Sequence, residues 1–337
     1  MSPPRLAGVR LRPRNVVVGA ATVAAILTLA VLSLGWGTYP VAPDAVIRAL
    51  LGSGTALDTT VVVGWRLPRV LAAVTLGALL AIAGALFQTV TRNPLASPDI
   101  LGLSNGAFTG MLITLVLVSS SWPARAAGAL VGCLAASLLI WLLAYRGGIQ
   151  GFRLIVVGIG VSAMLASLNT WMLLQVELET AMFASAWGHG SLNGVTADAL
   201  GGVLLCALPV ALAAFALVPS LRQLELGDDL ATATGVRPHL VRSVALLIGV
   251  VLVAAATAIA GPIAFVALAA PQIARRLARS PSLSLTLSGL VGALVLLASD
   301  AVAQHVLPVT LPVGVVTVSV GGSYLIVMIV SEIRRRA

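Results

Sequence analysis

The chain has no lysine. All 20 of its basic residues are arginine, set against 11 acidic residues and three histidines in 337. Charged residues amount to 9%, where a soluble domain carries roughly 25%. So little charge excludes an ordinary water-soluble domain. Cysteine is nearly missing as well. Cys133 and Cys206 both fall inside apolar runs, which excludes a disulfide framework and predicts small buried hydrophobes. There is no GxxxxGK[ST], HExxH, paired-cysteine or GxSxG motif. The chain therefore binds no nucleotide through a P-loop and offers no nucleophile–base or metal-ligand set, so neither catalysis nor a resident cofactor or metal is expected of it.

What is present is apolar. Hydrophobic residues make up 59%, and the mean hydropathy is +1.07. At about 20 residues per crossing, the chain has room for about ten membrane helices and short connections. The apolar runs place these helices at about 16–36, 67–89, 100–119, 124–145, 154–175, 197–218 and 243–260, then a short segment containing Pro271 that leads to Arg275, Arg276 and Arg279, then 283–303 and 313–331. The expected fold is thus all-α and polytopic. A basic tail covers 1–15, one transmembrane domain 16–333, and a basic end 334–337. The run after the tail exceeds the roughly 7–15 apolar residues of a signal peptide, so it is read as a retained first helix. Residues 38–64 read as a short interfacial helix and a loop, and 177–193 as a polar loop.

The net charge of +9 could suggest nucleic acid, but its distribution argues for a membrane. With the N-terminus cytoplasmic, 16 of the 20 arginines fall in cytoplasmic segments, and only Arg48, Arg66, Arg69 and Arg125 fall outside. That asymmetry sets the orientation, with both termini cytoplasmic and an even number of helices. Few ionisable groups lie inside the helices, Asp300 being the main acidic one. A proton- or sodium-coupled transporter would more often carry carboxylates there.

Three stretches stand out. Arg66 and Arg69 lie three apart at the outer start of the second helix and share a face. They read either as snorkelling interface anchors or as a cationic docking point for an acidic external partner. At its other end this helix meets a polar turn, Arg92-Asn93-Pro94-Leu95-Ala96-Ser97-Pro98-Asp99, through which Pro94 and Pro98 prevent it from continuing. The most polar internal segment is 221–242. It is either a solvated loop or a short helix docking into a soluble partner. Gly227 and Gly235 bound that helix, Asp228 and Asp229 occupy its first turn, and Ala231 and Val236 follow.

Taken together, RLPR at 66–69, GALLAIAGALFQ at 77–88, RNPLASPDILGLSNGA at 92–107, WGHGSL at 187–192, ATGV at 233–236, AGPIAFVALAAPQIAR at 260–275 and LPVGVVTVSVGG at 311–322 resemble the permeases of ABC importers for iron–siderophore chelates, haem and cobalamin, the FecCD type. The resemblance runs from about residue 16 to 333. It implies the type II importer architecture in the cytoplasmic (inner) membrane. It also implies a second permease subunit, identical or related, two cytoplasmic ATPase subunits that bind ATP and magnesium, and an extracytoplasmic substrate-binding protein, with iron(III)–siderophore the commonest cargo. A secondary transporter working alone is the alternative from another class. Residue by residue, Arg66 and Arg69 match the arginines that receive the binding protein. Gly227, Asp228, Asp229, Ala231, Gly235 and Val236 match the segment that couples to the ATPase, and Arg92, Asn93, Pro94 and Pro98 match a structural cytoplasmic turn. Three positions depart from the family pattern. Gln304 stands where a third docking arginine is usual, Gln272 where histidine follows Pro271, and Gly321-Gly322-Ser323-Tyr324 where Gly-Ala-Pro-Phe is usual. The pathway is expected to be lined by the fifth and tenth helices.

Overall fold

In a computed structural model of the protein, residues 5–6, 9–10, 13–99, 101–145, 151–280, 282–306 and 309–336 are described. The arginine-bearing loop 146–148, Arg12, Pro308 and the side chains of Arg5, Arg10, Arg334, Arg335 and Arg336 lie outside the described residues. A pair of two-residue strands, β1 (Arg5–Leu6) and β2 (Val9–Arg10), precedes the helices. These are α1 (Pro13–Gly35), α2 (Pro43–Leu50), α3 (Ala56–Thr59), α4 (Leu67–Thr91), α5 (Leu103–Leu117), α6 (Trp122–Ala144), α7 (Gly151–Leu173), α8 (Leu178–Gly188), α9 (Ala197–Ala216), α10 (Val218–Glu225), α11 (Asp228–Ala233), α12 (Pro238–Ala260), α13 (Val266–Ala278), α14 (Leu285–His305) and α15 (Val313–Arg336).

The ten expected helices appear as α1, α4, α5, α6, α7, α9, α12, α13, α14 and α15. Among the described residues, seven helical stretches are long and apolar enough to cross a membrane, one of them being α4 together with the helical turns before it. The apolar parts of α5 and α15 are shorter. At 13 residues and about 1.5 Å per residue, α13 covers only part of a hydrocarbon layer of about 30 Å. It starts inside the bundle, where Phe265 holds φ 68° and caps it. Two buried amides fix this start against α4: Gln88 Nε2 donates to Leu268 O at 3.0 Å, and Gln272 Nε2 donates to Gln88 Oε1 at 2.6 Å. Gln272, one of the three departures, is therefore a satisfied buried donor.

Three expectations change. The loop before residue 66 is instead helical, because α3 runs through a π-helical stretch at Thr60–Arg66 straight into α4. Pro68 explains the wider turn. Its ring would strike the carbonyl four residues back, at Gly64, and Leu67 N–H instead bonds Val62 O, five residues back. The polar loop 177–193 contains α8. And α12 starts at Pro238, with proline in its first turn where no intrahelical N–H is needed, so Arg242 sits on a helix rather than in a loop. Both cysteines are free, but only Cys133 is buried; Cys206 is exposed on α9.

Helices α4 and α12 form the centre. Buried residues number 17 of 25 in α4 and 16 of 23 in α12, against three of 23 in α1. Both are apolar all round, as a helix enclosed by other helices must be. Gly84 lets α4 approach α13 closely, since a Cβ there would collide with the Ala267 carbonyl. Exposed apolar side chains concentrate on the outer helices, for example Leu27 on α1, Leu138 on α6, Ile159 on α7 and Leu205 on α9, a surface suited to lipid or to another apolar chain.

Candidate functional site

The two ends of α4 carry two separate charge clusters. At its start, Arg69 lies against Asp300 of α14 in a two-pronged pair, Nε to Oδ2 at 2.8 Å and Nη2 to Oδ1 at 2.7 Å. Its Nη1 also donates to Asn193 Oδ1. The pair is largely enclosed, with side-chain exposures of 19% for Arg69 and 7% for Asp300. The flat guanidinium matches the carboxylate geometry, which a lysine could not. Arg66 has no carboxylate. It donates to two carbonyl oxygens, Leu34 O at 2.8 Å and Tyr39 O at 2.6 Å. Arg66, Arg69 and Gln304 line one cavity of about 330 Å³ together with Asp300 and with Trp36, which stacks on His305 at 5.6 Å between ring centres. The three residues expected to dock a partner are thus brought together. Sequence reading missed that Asp300 neutralises Arg69, so Arg66 is the uncompensated cation of this cavity. Gln304 leaves its Nε2 buried and unpartnered.

At the other end of α4, Arg92 terminates the helix in a left-handed conformation, φ 51°. Its Nη2 donates to Leu224 O at 2.8 Å and to Asp228 Oδ1 at 2.6 Å. Arg242 reaches the same carboxylate with both prongs, Nη1 to Oδ2 at 2.9 Å and Nη2 to Oδ1 at 2.6 Å. Arg242 and Arg92 hold the Asp228 carboxyl below the usual carboxylate range. Within the turn itself, Asn93 Oδ1 accepts from Leu95 N–H, an Asx-type closure.

The segment expected to contact a soluble partner forms α11, held between Gly227 at φ 115° and Gly235 at φ 86°. Both glycines take a left-handed backbone that a side chain would strain, while open space surrounds each. Ala231 faces inward and is fully buried, and Val236 N–H bonds back to Ala231 O at 2.9 Å. Asp229 points outward beside Leu226 and Leu230, which are 69% and 58% exposed. Sequence reading passed over these two exposed leucines, and the Ala231 it named instead faces inward. Arg14 also lies at this end, donating to Leu277 O at 2.8 Å near Arg275 and Arg276. The arginine asymmetry read from the sequence is therefore an asymmetry between the two ends of the bundle.

Between the ends, a cavity of about 630 Å³ opens along the Gly261–Phe265 break and the first turns of α15. Its polar lining comes from Asp99, Ser104, Asn105, Ser185, His189 and Ser319. Helix α15 lines this cavity with Gly314, Val315, Val318 and Ser319, α7 supplies only Leu173, α5 and α8 supply Ser104, Asn105, Phe108, Ser185 and Gly188, and Asp99, His189, Pro262 and Ala264 come from the connections. Asp99 accepts from Ser97 Oγ at 3.1 Å, Phe265 N–H at 3.2 Å and Ser104 Oγ at 3.4 Å. Burial nonetheless outweighs these donors and pushes its carboxyl up to about 6. In the departing tetrad, Gly321 packs against Phe265 with no room for a Cβ, and Tyr324 lies under the Arg276 guanidinium at 5.5 Å. Gly321 is common to both patterns; of the changed positions, Gly322 has open space beside it and Ser323 Oγ donates to Ser319 O within the helix at 2.8 Å. Among the described residues no group of three or more His, Cys, Asp or Glu side chains could hold a metal.

Comparison with known proteins agrees with this arrangement. The model of the FecCD transport family matches residues 25–331. A ferric enterobactin transport system permease protein of Escherichia coli K12, FepG, is 48% identical over 315 residues, 93% of this chain and 96% of its own. A second permease protein of that system, FepD, is 36% identical over 305 residues, 88% of this chain and 90% of its own. A solved structure described as an inward-facing metal-chelate type ABC transporter superposes with a TM-score of 0.81 at 25% identity, covering 94% of this chain and 99% of that one.

Proposed function

The chain belongs to the FecCD transport family, and from that premise we propose that it is the membrane permease subunit of an ATP-driven importer of iron(III)–siderophore chelates. The observation that carries this reading is the pairing of a mid-bundle cavity with an exposed apolar pair, Leu226 beside the Gly227 joint and Leu230 on α11, at the end of the bundle opposite Arg66 and Arg69, while the chain has no nucleotide motif of its own. The relatives FepG and FepD are named for ferric enterobactin transport, which supports a siderophore over cobalamin or haem as cargo. Two such permeases named for one system support a pair of related subunits around the pathway.

A loaded binding protein docks at the cavity of Arg66, Arg69 and Gln304. Two ATPase subunits engage α11 from the cytoplasm and hold the ATP and magnesium. Their closure shifts the bundle between two packings, and the chelate crosses along the cavity lined by α5, α8 and α15. Both termini are cytoplasmic, in the inner membrane. No bond is made or broken in this chain. Asp300, the main intramembrane carboxylate, is already paired with Arg69, which leaves a poor proton carrier for ion-coupled transport.

The test is to purify the tagged chain in detergent, assay ATPase activity in the eluate, and measure chelate uptake in proteoliposomes. The expected outcome is a co-purifying ATPase, with uptake of ferric catecholate that depends on ATP. Uptake under an ion gradient alone, with no ATPase present, would replace this reading with a stand-alone transporter.

A further inference from the structure

Resting on the importer reading, one residue is tied to both central helices at the point where the ATPase would push. Helix α11 hangs between two left-handed glycines, Gly227 and Gly235. Such joints leave it free to tilt as a unit, because neither glycine is wedged against a neighbour. Its charged attachment to the bundle is Asp228. That carboxylate holds Arg92 at the very end of α4 and Arg242 on the second turn of α12. Helices α4 and α12 are the most enclosed of the long helices and pack on each other. The far end of α4 carries Arg69 and the docking cavity.

We propose that Asp228 is a positioning residue that converts displacement of α11 into joint movement of α4 and α12, with Arg92 and Arg242 as its two attachment points. The geometry suits this role in three ways. First, Arg242 is 11% exposed and is held by both prongs, so the carboxylate cannot leave without stranding a buried guanidinium. Second, Arg92 is one of only three non-glycine residues with positive φ among the described residues. A long side chain held in an uncommon backbone conformation at a helix end is a position where small shifts are felt. Third, Arg92 Nη2 also holds Leu224 O at the end of α10, so α10 and α11 move with α4 together.

The experiment uses the complete importer in proteoliposomes: both permeases, the ATPases and the binding protein. Its readout is chelate imported per ATP hydrolysed, which separates transmission from simple loss of complex. Asp228→Asn keeps the shape and removes the charge. Arg92→Gln leaves the Arg242 pair intact and cuts only the tie to α4. Asp228→Glu restores the charge. The expected result is a fall of about ten-fold or more in import per ATP for Asp228→Asn and a several-fold fall for Arg92→Gln, with Asp228→Glu recovering most of the loss. If import per ATP matches the native value in Asp228→Asn and Arg92→Gln, the proposal is overturned while the importer reading stands. If these variants lose bound ATPase and import in equal proportion, so that the ratio is unchanged, the residues only fasten α11 and the proposal is likewise overturned. Failure of the importer reading looks different: the native chain itself then shows no ATP-dependent import.

Discussion

The two arginine–aspartate clusters at the ends of α4 use the same chemistry for opposite purposes. The Arg69–Asp300 pair is enclosed, two-pronged and internal to the helix bundle, joining α4 to α14. The Asp228 cluster has one half-open arm, with Asp228 at 44% and Arg92 at 46% side-chain exposure, beside the enclosed Arg242 at 11%, and joins the bundle to a small helix held by glycines. An enclosed pair has two states, made or broken, and breaking it strands a charge. A half-open pair is screened by water and exchanges partners at little cost. The first suits a fixed strut and the second a moving joint. The location of each follows, since the strut lies beside the cavity proposed for docking and the joint lies where the proposed ATPase would act.

The strongest way to break this contrast is to remove one partner of the enclosed pair. Arg69→Ala leaves the Asp300 carboxylate, 7% exposed, without its cation, and should cost about 3–5 kcal/mol of stability. Thermal unfolding in detergent reads this directly. Replacing both residues with leucine should recover most of the loss, because no buried charge remains. Arg92→Gln, which cuts only the half-exposed arm of the Asp228 cluster, should change stability by under about 1 kcal/mol, while lowering import per ATP hydrolysed. Equal stability losses for Arg69→Ala and Arg92→Gln would erase the distinction between strut and joint.

A smaller effect is expected from Gln304→Arg. Gln304 lines the same cavity as Arg66, Arg69, Asp300 and His305 and has an unpartnered Nε2. An arginine there adds a second uncompensated cation to Arg66. Affinity for an acidic external partner should rise several-fold, chiefly through a faster on-rate, and the gain should shrink as salt is raised. Binding measured by surface capture at two ionic strengths tests this. A salt-independent gain, or none, would mean that the cavity does not receive a charged side chain.

Much of this was legible in the sequence, for reasons that differ by region. The helices were readable because lipid demands long apolar runs, and the two ends of the bundle were distinguishable because the arginines gather at one of them. Gly227 and Gly235 announced α11, since a left-handed backbone selects glycine. What stayed hidden were relations between distant positions. Arg69 and Asp300 lie 231 residues apart, and Arg92 and Asp228 lie 136 apart. Neither spacing follows any period, so each arginine was visible as a cation and its neutralising partner was not. Arg242 was read as a loop residue because 221–242 is polar throughout. Only packing separates the part that is helix α12 from the part that faces water. The π-helical entry to α4 was hidden too, because Pro68 looks like a helix start unless the preceding turn can widen around it.

The last and smallest effect sharpens the comparison with a carboxylate that has no arginine. Asp99 receives only neutral donors, from Ser97, Ser104 and the Phe265 backbone, and burial pushes its carboxyl up to about 6, from an ordinary 3.8. A carboxyl raised in this way binds its proton more tightly in the folded chain than in the unfolded one. Its contribution is therefore fully present below about pH 3.8 and is lost as pH rises to about 6, above which the curve is flat. Asp99→Asn keeps the shape and removes the titration, so the variant should gain on the native chain between about pH 4 and 6 and hold that gain at higher pH. Melting temperatures of both proteins in detergent at pH 4.5 and pH 7 give the answer. A difference that is the same at both values would mean that the three neutral donors offset burial as fully as the arginines do for Asp228. The cation would then not be what separates these sites.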